Sequence, residues 1–134
     1  MQVQPYLFFN GQCAQALAFY QQLLGARLNF KQTFGESPMA ADLPAESHGL
    51  IMHANFSVGD SQIMASDGMP GQTCPEMQGC ALTIGLNNLA KGEQLFNALA
   101  EGGKICMPFE KTFWARGFGN VTDRFGVNWM INVE

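Results

Sequence analysis

The chain has 134 residues, 47% of them hydrophobic and 13% charged, with a net charge of −4. Such a composition predicts one domain with a real core, and an acidic balance with scattered Lys and Arg excludes the electrostatic footprint of a nucleic-acid binder. No apolar run is long enough to span a membrane, and MQVQPYLFFNGQC has neither a charged n-region nor a long h-region, so neither membrane insertion nor export is expected. Cys13, Cys74, Cys80 and Cys106 are widely spaced, with no C-x-x-C pair, and read as reduced thiols of a cytoplasmic protein.

Gln4 to Phe9 reads as a short strand, broken by Asn10-Gly11, with Asn10 placed to cap a helix. Gln12 to Leu24 is that helix, because Ala16, Leu17, Phe19, Tyr20, Leu23 and Leu24 recur at helical spacing and Gly25 stands where a helix stops. Arg27 to Phe34 is the next strand. Gly35 to Gly49 is a long loop, a lid or edge cover, in which His48 is expected in solvent. Leu50 to Val58 and Ser61 to Asp67 form a hairpin about Gly59-Asp60. Met52, Ala54, Phe56 and Val58 share one face of its first strand; His53, Asn55 and Ser57 share the other.

Residues 68–79, with Pro70, Gly71 and Pro75, read as a linker. The order then repeats. Cys80 to Leu86 is a strand, Leu89 to Glu101 a helix stopped by Gly102-Gly103, and Lys104 to Phe109 a strand. The terminal hairpin follows, turning at Asp123-Arg124-Phe125-Gly126. Its last strand alternates strictly: Val127, Trp129, Ile131 and Val133 against Asn128, Met130 and Asn132. Cys13 and Cys106 read as small core residues.

Strand–helix–strand–strand–strand thus occurs twice, over residues of about 4–67 and about 80–134. The predicted fold is α+β, two βαβββ modules within one domain, each sheet covered by a helix on one side. The opposite, mixed faces would pair around a cleft lined by His53, Asn55, Ser57, Thr83, Asn128, Met130 and Asn132, with Ser66 as a further ligand-binding candidate. In that position His53 would be a general base, a metal ligand with His48 or Asp67, or a hydrogen-bonded structural residue. Phe113, Trp114, Phe118 and Trp129 would stack on a planar ligand or pack in a core or interface, and Arg116 and Arg124 would hold an anion or form surface ion pairs.

Paired βαβββ units ending in D-x-F-G-x-x-W-M-I-N resemble the vicinal oxygen chelate superfamily of glyoxalase I, bleomycin-resistance proteins, fosfomycin-resistance enzymes and extradiol dioxygenases. Within it the chain is most similar to the PhnB-like proteins, often labelled 3-demethylubiquinone-9 3-methyltransferase domains. Pro5 to Gly11, Ala18-Phe19-Tyr20, Phe34 to Met39, Ile51 to Ala54 and Thr112 to Asn132 carry the resemblance. It implies a homodimer and a small-molecule ligand. Metal-dependent members place His or Glu ligands at four strand positions, which here fall near Pro5, Leu7 or Phe9, near Asp67, near Ala81 and at Met130, so no metal is expected. No Gly-rich loop joins a strand to a helix, so the methyltransferase label has no nucleoside site behind it and no cofactor is expected. Two functions stay open: a metal-free binding protein, and an enzyme of lyase, transferase or isomerase type with His53 as its acid–base group.

Overall fold

The computed structural model describes residues 1–134. The chain divides into two compact units, Met1–Pro75 and Glu76–Glu134. The first runs β1 (Tyr6–Phe9), α1 (Cys13–Leu24), β2 (Arg27–Thr33), β3 (Ile51–Val58) and β4 (Ser61–Asp67). The second runs β5 (Leu82–Leu86), α2 (Leu89–Ala100), β6 (Lys104–Glu110), β7 (Gly117–Thr122) and β8 (Asn128–Val133). The two sheets have the same topology, β1-β4-β3-β2 and β5-β8-β7-β6, with a parallel outer pair and antiparallel hairpins. The repeated βαβββ order is therefore a repeated fold.

Each helix buries one stripe against one sheet face. In the first unit Cys13, Ala16, Leu17 and Tyr20 of α1 are buried, and the Tyr20 ring stacks on Phe56 with centroids 6.1 Å apart. In the second, Leu95, Phe96 and Leu99 of α2 cover Trp129, Ile131 and Val133, the apolar half of the β8 alternation. The approach is close: a Cβ on Gly92 of α2 would lie 2.5 Å from Val133 Cγ2, and one on Gly119 of β7 would lie 2.6 Å from the Phe96 ring. Only glycine allows helix and sheet to meet at this distance.

Buried carboxylates organise both units. Asp67, at the end of β4, accepts from the Gly11 and Cys13 amides through Oδ1 (2.8 and 3.0 Å) and from the Ile51 amide through Oδ2 (2.9 Å). It thus does the work expected of Asn10. The residue before α1, Gln12, makes no side-chain cap, while Asn10 forms a reciprocal pair with the Cys74 backbone, accepting from its amide at 2.7 Å and donating to its carbonyl at 3.0 Å. Asp123 holds the β7–β8 turn as its sequence suggests, accepting from the Phe125 and Val127 amides (2.9 and 3.0 Å), and its Oδ2 accepts from the Trp129 indole at 2.9 Å.

The 34–50 segment is three short 3₁₀ turns rather than open loop. Thr33 and Glu36 cap the first turn reciprocally, and the hydroxyl and amide of Thr33 hold the Glu36 carboxyl below its ordinary range. His48 is half-buried, not solvated, with Nε2 bonded to the carbonyls of Ala40 (2.9 Å) and Leu43 (3.2 Å).

The cysteines differ sharply. Cys13 is fully buried and its thiol is pushed up from 9.0 to about 12, first by burial and then by the Asp67 carboxylate. Cys106, expected in a core, is exposed, as is Cys80. A thiol reagent at neutral pH should therefore modify Cys80 and Cys106 readily and leave Cys13 untouched until the protein unfolds. Because the folded Cys13 keeps its proton above the unfolded pKa, its contribution to stability is full below pH 9.0 and fades as pH rises towards about 12. Titration of Cys13 at neutral pH in the native protein would contradict this.

Candidate functional site

The sheet faces turned away from the helices carry the candidate polar and aromatic side chains. In the first unit the register sets Tyr6 beside Met64, Phe8 beside Ser66, Asn55 beside Met64, and Gln32 beside His53. His53 is half-buried among rings, with the Tyr6 centroid at 5.6 Å and that of Phe30 at 6.0 Å. The Tyr6 hydroxyl and His53 Nδ1 share a hydrogen bond of 3.0 Å, and Nε2 has no hydrogen-bond partner in the protein. A slip of register between Leu28 and Phe30 sends Asn29 onto the same face, where its Nδ2 donates to Asn55 Oδ1 and Ser57 Oγ, both at 2.8 Å.

The second unit repeats the plan with other side chains. Thr83 and Asn120 flank Met130, and Phe118 lies beside Asn132. Asn120 Nδ2 donates to Asn128 Oδ1 and to the Trp129 carbonyl, each at 3.0 Å, and Asn128 Nδ2 donates to Thr122 Oγ1 at 3.1 Å. The register slip after Ile105 turns Cys106 towards Thr122 Oγ1 (3.7 Å) and Asn128 Nδ2 (3.9 Å), as the β2 slip turns Asn29. Trp114 leans over the sheet end, its Nε1 donating to Asn132 Oδ1 at 3.1 Å and its ring edge-on to Phe118 at 5.2 Å. Phe113 lies off the strands, 97% exposed, and makes its ring contact with Trp114.

His53, Asn55 and Ser66 therefore share one face of the first sheet, with Ser66 almost wholly covered. Thr83, Asn128 and Met130, with Trp114 at the end, share one face of the second. Tyr6, Phe30, Asn29 and Asn120 belong to the same faces, and the sequence reading missed them. Alternation with Phe118 and Thr122 would have found Asn120; nothing in the sequence announces the displaced Asn29.

The residues do not suit the divalent ion that the superfamily resemblance suggests. Leu7 and Phe9 are buried, Asp67 spends both carboxylate oxygens on backbone amides, and Met130 offers a weak thioether. Neither partner considered for His53 can join it: Asp67 is occupied, and His48 is tied into its own loop. Nowhere do three His, Cys, Asp or Glu side chains gather to hold an ion.

The family model described as 3-demethylubiquinone-9 3-methyltransferase matches residues 1–132. The chain belongs to this family. Within the 3-demethylubiquinone-9 3-methyltransferase family, or among its neighbours in fold, three proteins frame it. Protein YjdN of Escherichia coli (strain K12) is 45% identical over 99% of this chain and 95% of its own length. Protein PA1353 of Pseudomonas aeruginosa, known from a crystal structure, is 46% identical, covering 100% of this chain and 98% of its own, with a TM-score of 0.89. The Listeria monocytogenes fosfomycin resistance protein FosX, crystallised as a mutant with Mn(II) and a dihydroxypropylphosphonic acid, is 10% identical over 100% of this chain and 92% of its own. Its TM-score of 0.68 shows a shared fold. The resemblance carried by the sequence segments thus holds for both family and fold. No helix is long and apolar enough to cross a membrane.

Proposed function

We propose that the chain is a metal-free, glyoxalase-like protein of the cytoplasm, acting as a homodimer, that binds a small organic molecule on its helix-free sheet faces. One observation carries this reading: exposed rings adjoin side-chain amides that are tied at one end and open at the other. Asn55 Oδ1 accepts from Asn29 while its Nδ2 makes no hydrogen bond in the protein. Asn132 Oδ1 accepts from Trp114 while its Nδ2 is equally unengaged. Groups fixed in this way lose little freedom on meeting a ligand.

The Tyr6–His53 pair supports a second reading, an enzyme on a small oxygenated or aromatic metabolite. Tyr6 orients the imidazole through Nδ1, and Nε2 is left to exchange a proton with a bound molecule. A thermal-shift screen followed by turnover assays of the hits separates binding from catalysis.

The chain has two tryptophans, and Trp129 is buried while Trp114 is 51% exposed. A ligand on the second face should change Trp114 emission, and the response should vanish in Trp114→Phe. His53→Ala should cost less than about 1 kcal/mol of stability, since the ring is half-buried with one neutral hydrogen bond, and should weaken a ligand of the first face at least about tenfold. Hits whose affinity survives both substitutions bind elsewhere and defeat the proposal. A purely structural His53 would show instead a loss of about 1–3 kcal/mol with affinity unchanged.

A further inference from the structure

Charge is nearly absent from the strands that build these faces. Only β2 and β6 carry Lys, Arg or Glu, and the other six strands contain one charged residue, Asp67. Asp67 is buried, with its carboxylate turned to the backbone amides of Gly11, Cys13 and Ile51. The charges level with face residues are Arg27 beside Ser57, Lys104 beside Thr122 and Glu110 beside Phe118, and each is the first or last residue of its strand. The two arginines that the sequence offered for holding an anion are engaged elsewhere. Arg116 donates to the carbonyls of Asn87 and Glu134, both at 2.5 Å, and the Arg124 guanidinium lies 4.7 Å from the Phe125 ring centroid.

The middle of each face thus offers neutral groups. Asn55 Nδ2 and Asn132 Nδ2 are open donors, Asn120 Oδ1 and the Thr83 hydroxyl are open acceptors, and His53 Nε2 serves in either sense according to tautomer. Rings of Tyr6, Phe30, Trp114 and Phe118 stand beside them. An ionised ligand pressed against such a surface gives up water and meets no counter-charge; a neutral amide or hydroxyl exchanges its water for amide and hydroxyl partners. From this we infer that the ligand is an uncharged, planar aromatic molecule bearing amide- or hydroxyl-type groups. This deepens the binding reading above and rests on it.

Three probes of one shape separate the two claims: 2-naphthamide, 2-naphthoate and 2-naphthamidine, neutral, anionic and cationic at pH 7. Each is titrated into the full chain labelled with ¹⁵N, with the side-chain amide signals of Asn55, Asn120 and Asn132 followed by NMR. The expected result is that 2-naphthamide moves at least one of these signals and binds at least about tenfold more tightly than either charged probe. If the naphthoate or the naphthamidine moves the same signals with equal or higher affinity, the inference about charge is overturned while the faces remain binding surfaces. If no probe moves any of the three signals, the binding reading falls, and this inference with it.

Discussion

Replacing Trp129 with alanine should destabilise the protein by on the order of 3–5 kcal/mol, the usual cost of emptying a buried aromatic site. Trp129 is 2% exposed, lies on the helix-covered face of β8, and is tied at its indole nitrogen to Asp123 Oδ2 at 2.9 Å. Two effects are superposed, the loss of packed volume and the release of an acceptor that also organises the turn through the Phe125 and Val127 amides. Trp129→Phe separates them. It keeps most of the ring and removes the donor, so about 1–3 kcal/mol is expected. Asp123→Ala removes the acceptor and strands the donors that it serves, and in combination with Trp129→Phe the losses should be less than additive, because the indole bond can be broken only once. Urea unfolding of the single and double variants gives all these values. A loss below about 1 kcal/mol for Trp129→Ala, the range of an ordinary surface change, would refute the assignment of Trp129 to the core.

Trp129 also shows which parts of the fold could be read from the chain alone. Period-two alternation in Asn128–Val133 reports directly which side chains turn inward, because in a half-covered sheet burial follows strand geometry. In Ile51–Val58 it holds for Ala54 and Phe56 only: a register slip opposite Gln32 and Thr33 leaves Ile51 buried in place of Met52, Val58 is half-buried and Ser57 is covered. Helical spacing did the same for Ala16, Leu17 and Tyr20 and for Leu95, Phe96 and Leu99. What the chain conceals is the partner of each polar group. Asn10 has the right type and place to cap α1, yet a carboxylate from β4 reaches the amides first and Asn10 turns to Cys74. Cys106 has a core residue's chemistry and a register slip that turns it outward. Arg116 looks like a free surface cation and instead ties together the carbonyls of Asn87 and Glu134. Each of these outcomes depends on residues distant in sequence or on a one-residue shift in pairing, and neither leaves a local pattern. The candidate site was half legible for the same reason: alternation exposes His53, Asn55, Asn128 and Met130, whereas Tyr6 and Asn29 join them only through strand pairing.

Asp67→Ala should cost about as much as the loss of Trp129, on the order of 3–5 kcal/mol, although the side chain is small. The carboxylate is 4% exposed and accepts three backbone N–H bonds, from Gly11, Cys13 and Ile51, joining the start of α1 to the start of β3. Its negative charge also lies at the α1 N-terminus, where the helix dipole favours it. Removing it leaves three donors without a partner and opens the β1–α1 turn. Asp67→Asn is the informative companion: one oxygen can still serve Gly11 and Cys13, but an NH₂ group then faces the Ile51 amide, donor against donor. A loss of about 1–3 kcal/mol is expected, with hydrogen exchange accelerated most at Ile51. Cys13 should stay unreactive in Asp67→Asn, because burial rather than the neighbouring charge is the main cause of its raised pKa. If Asp67 were instead a ligand-binding carboxylate reached from outside, both substitutions would leave stability within about 1 kcal/mol of the parent, and exchange at Gly11, Cys13 and Ile51 would be unchanged.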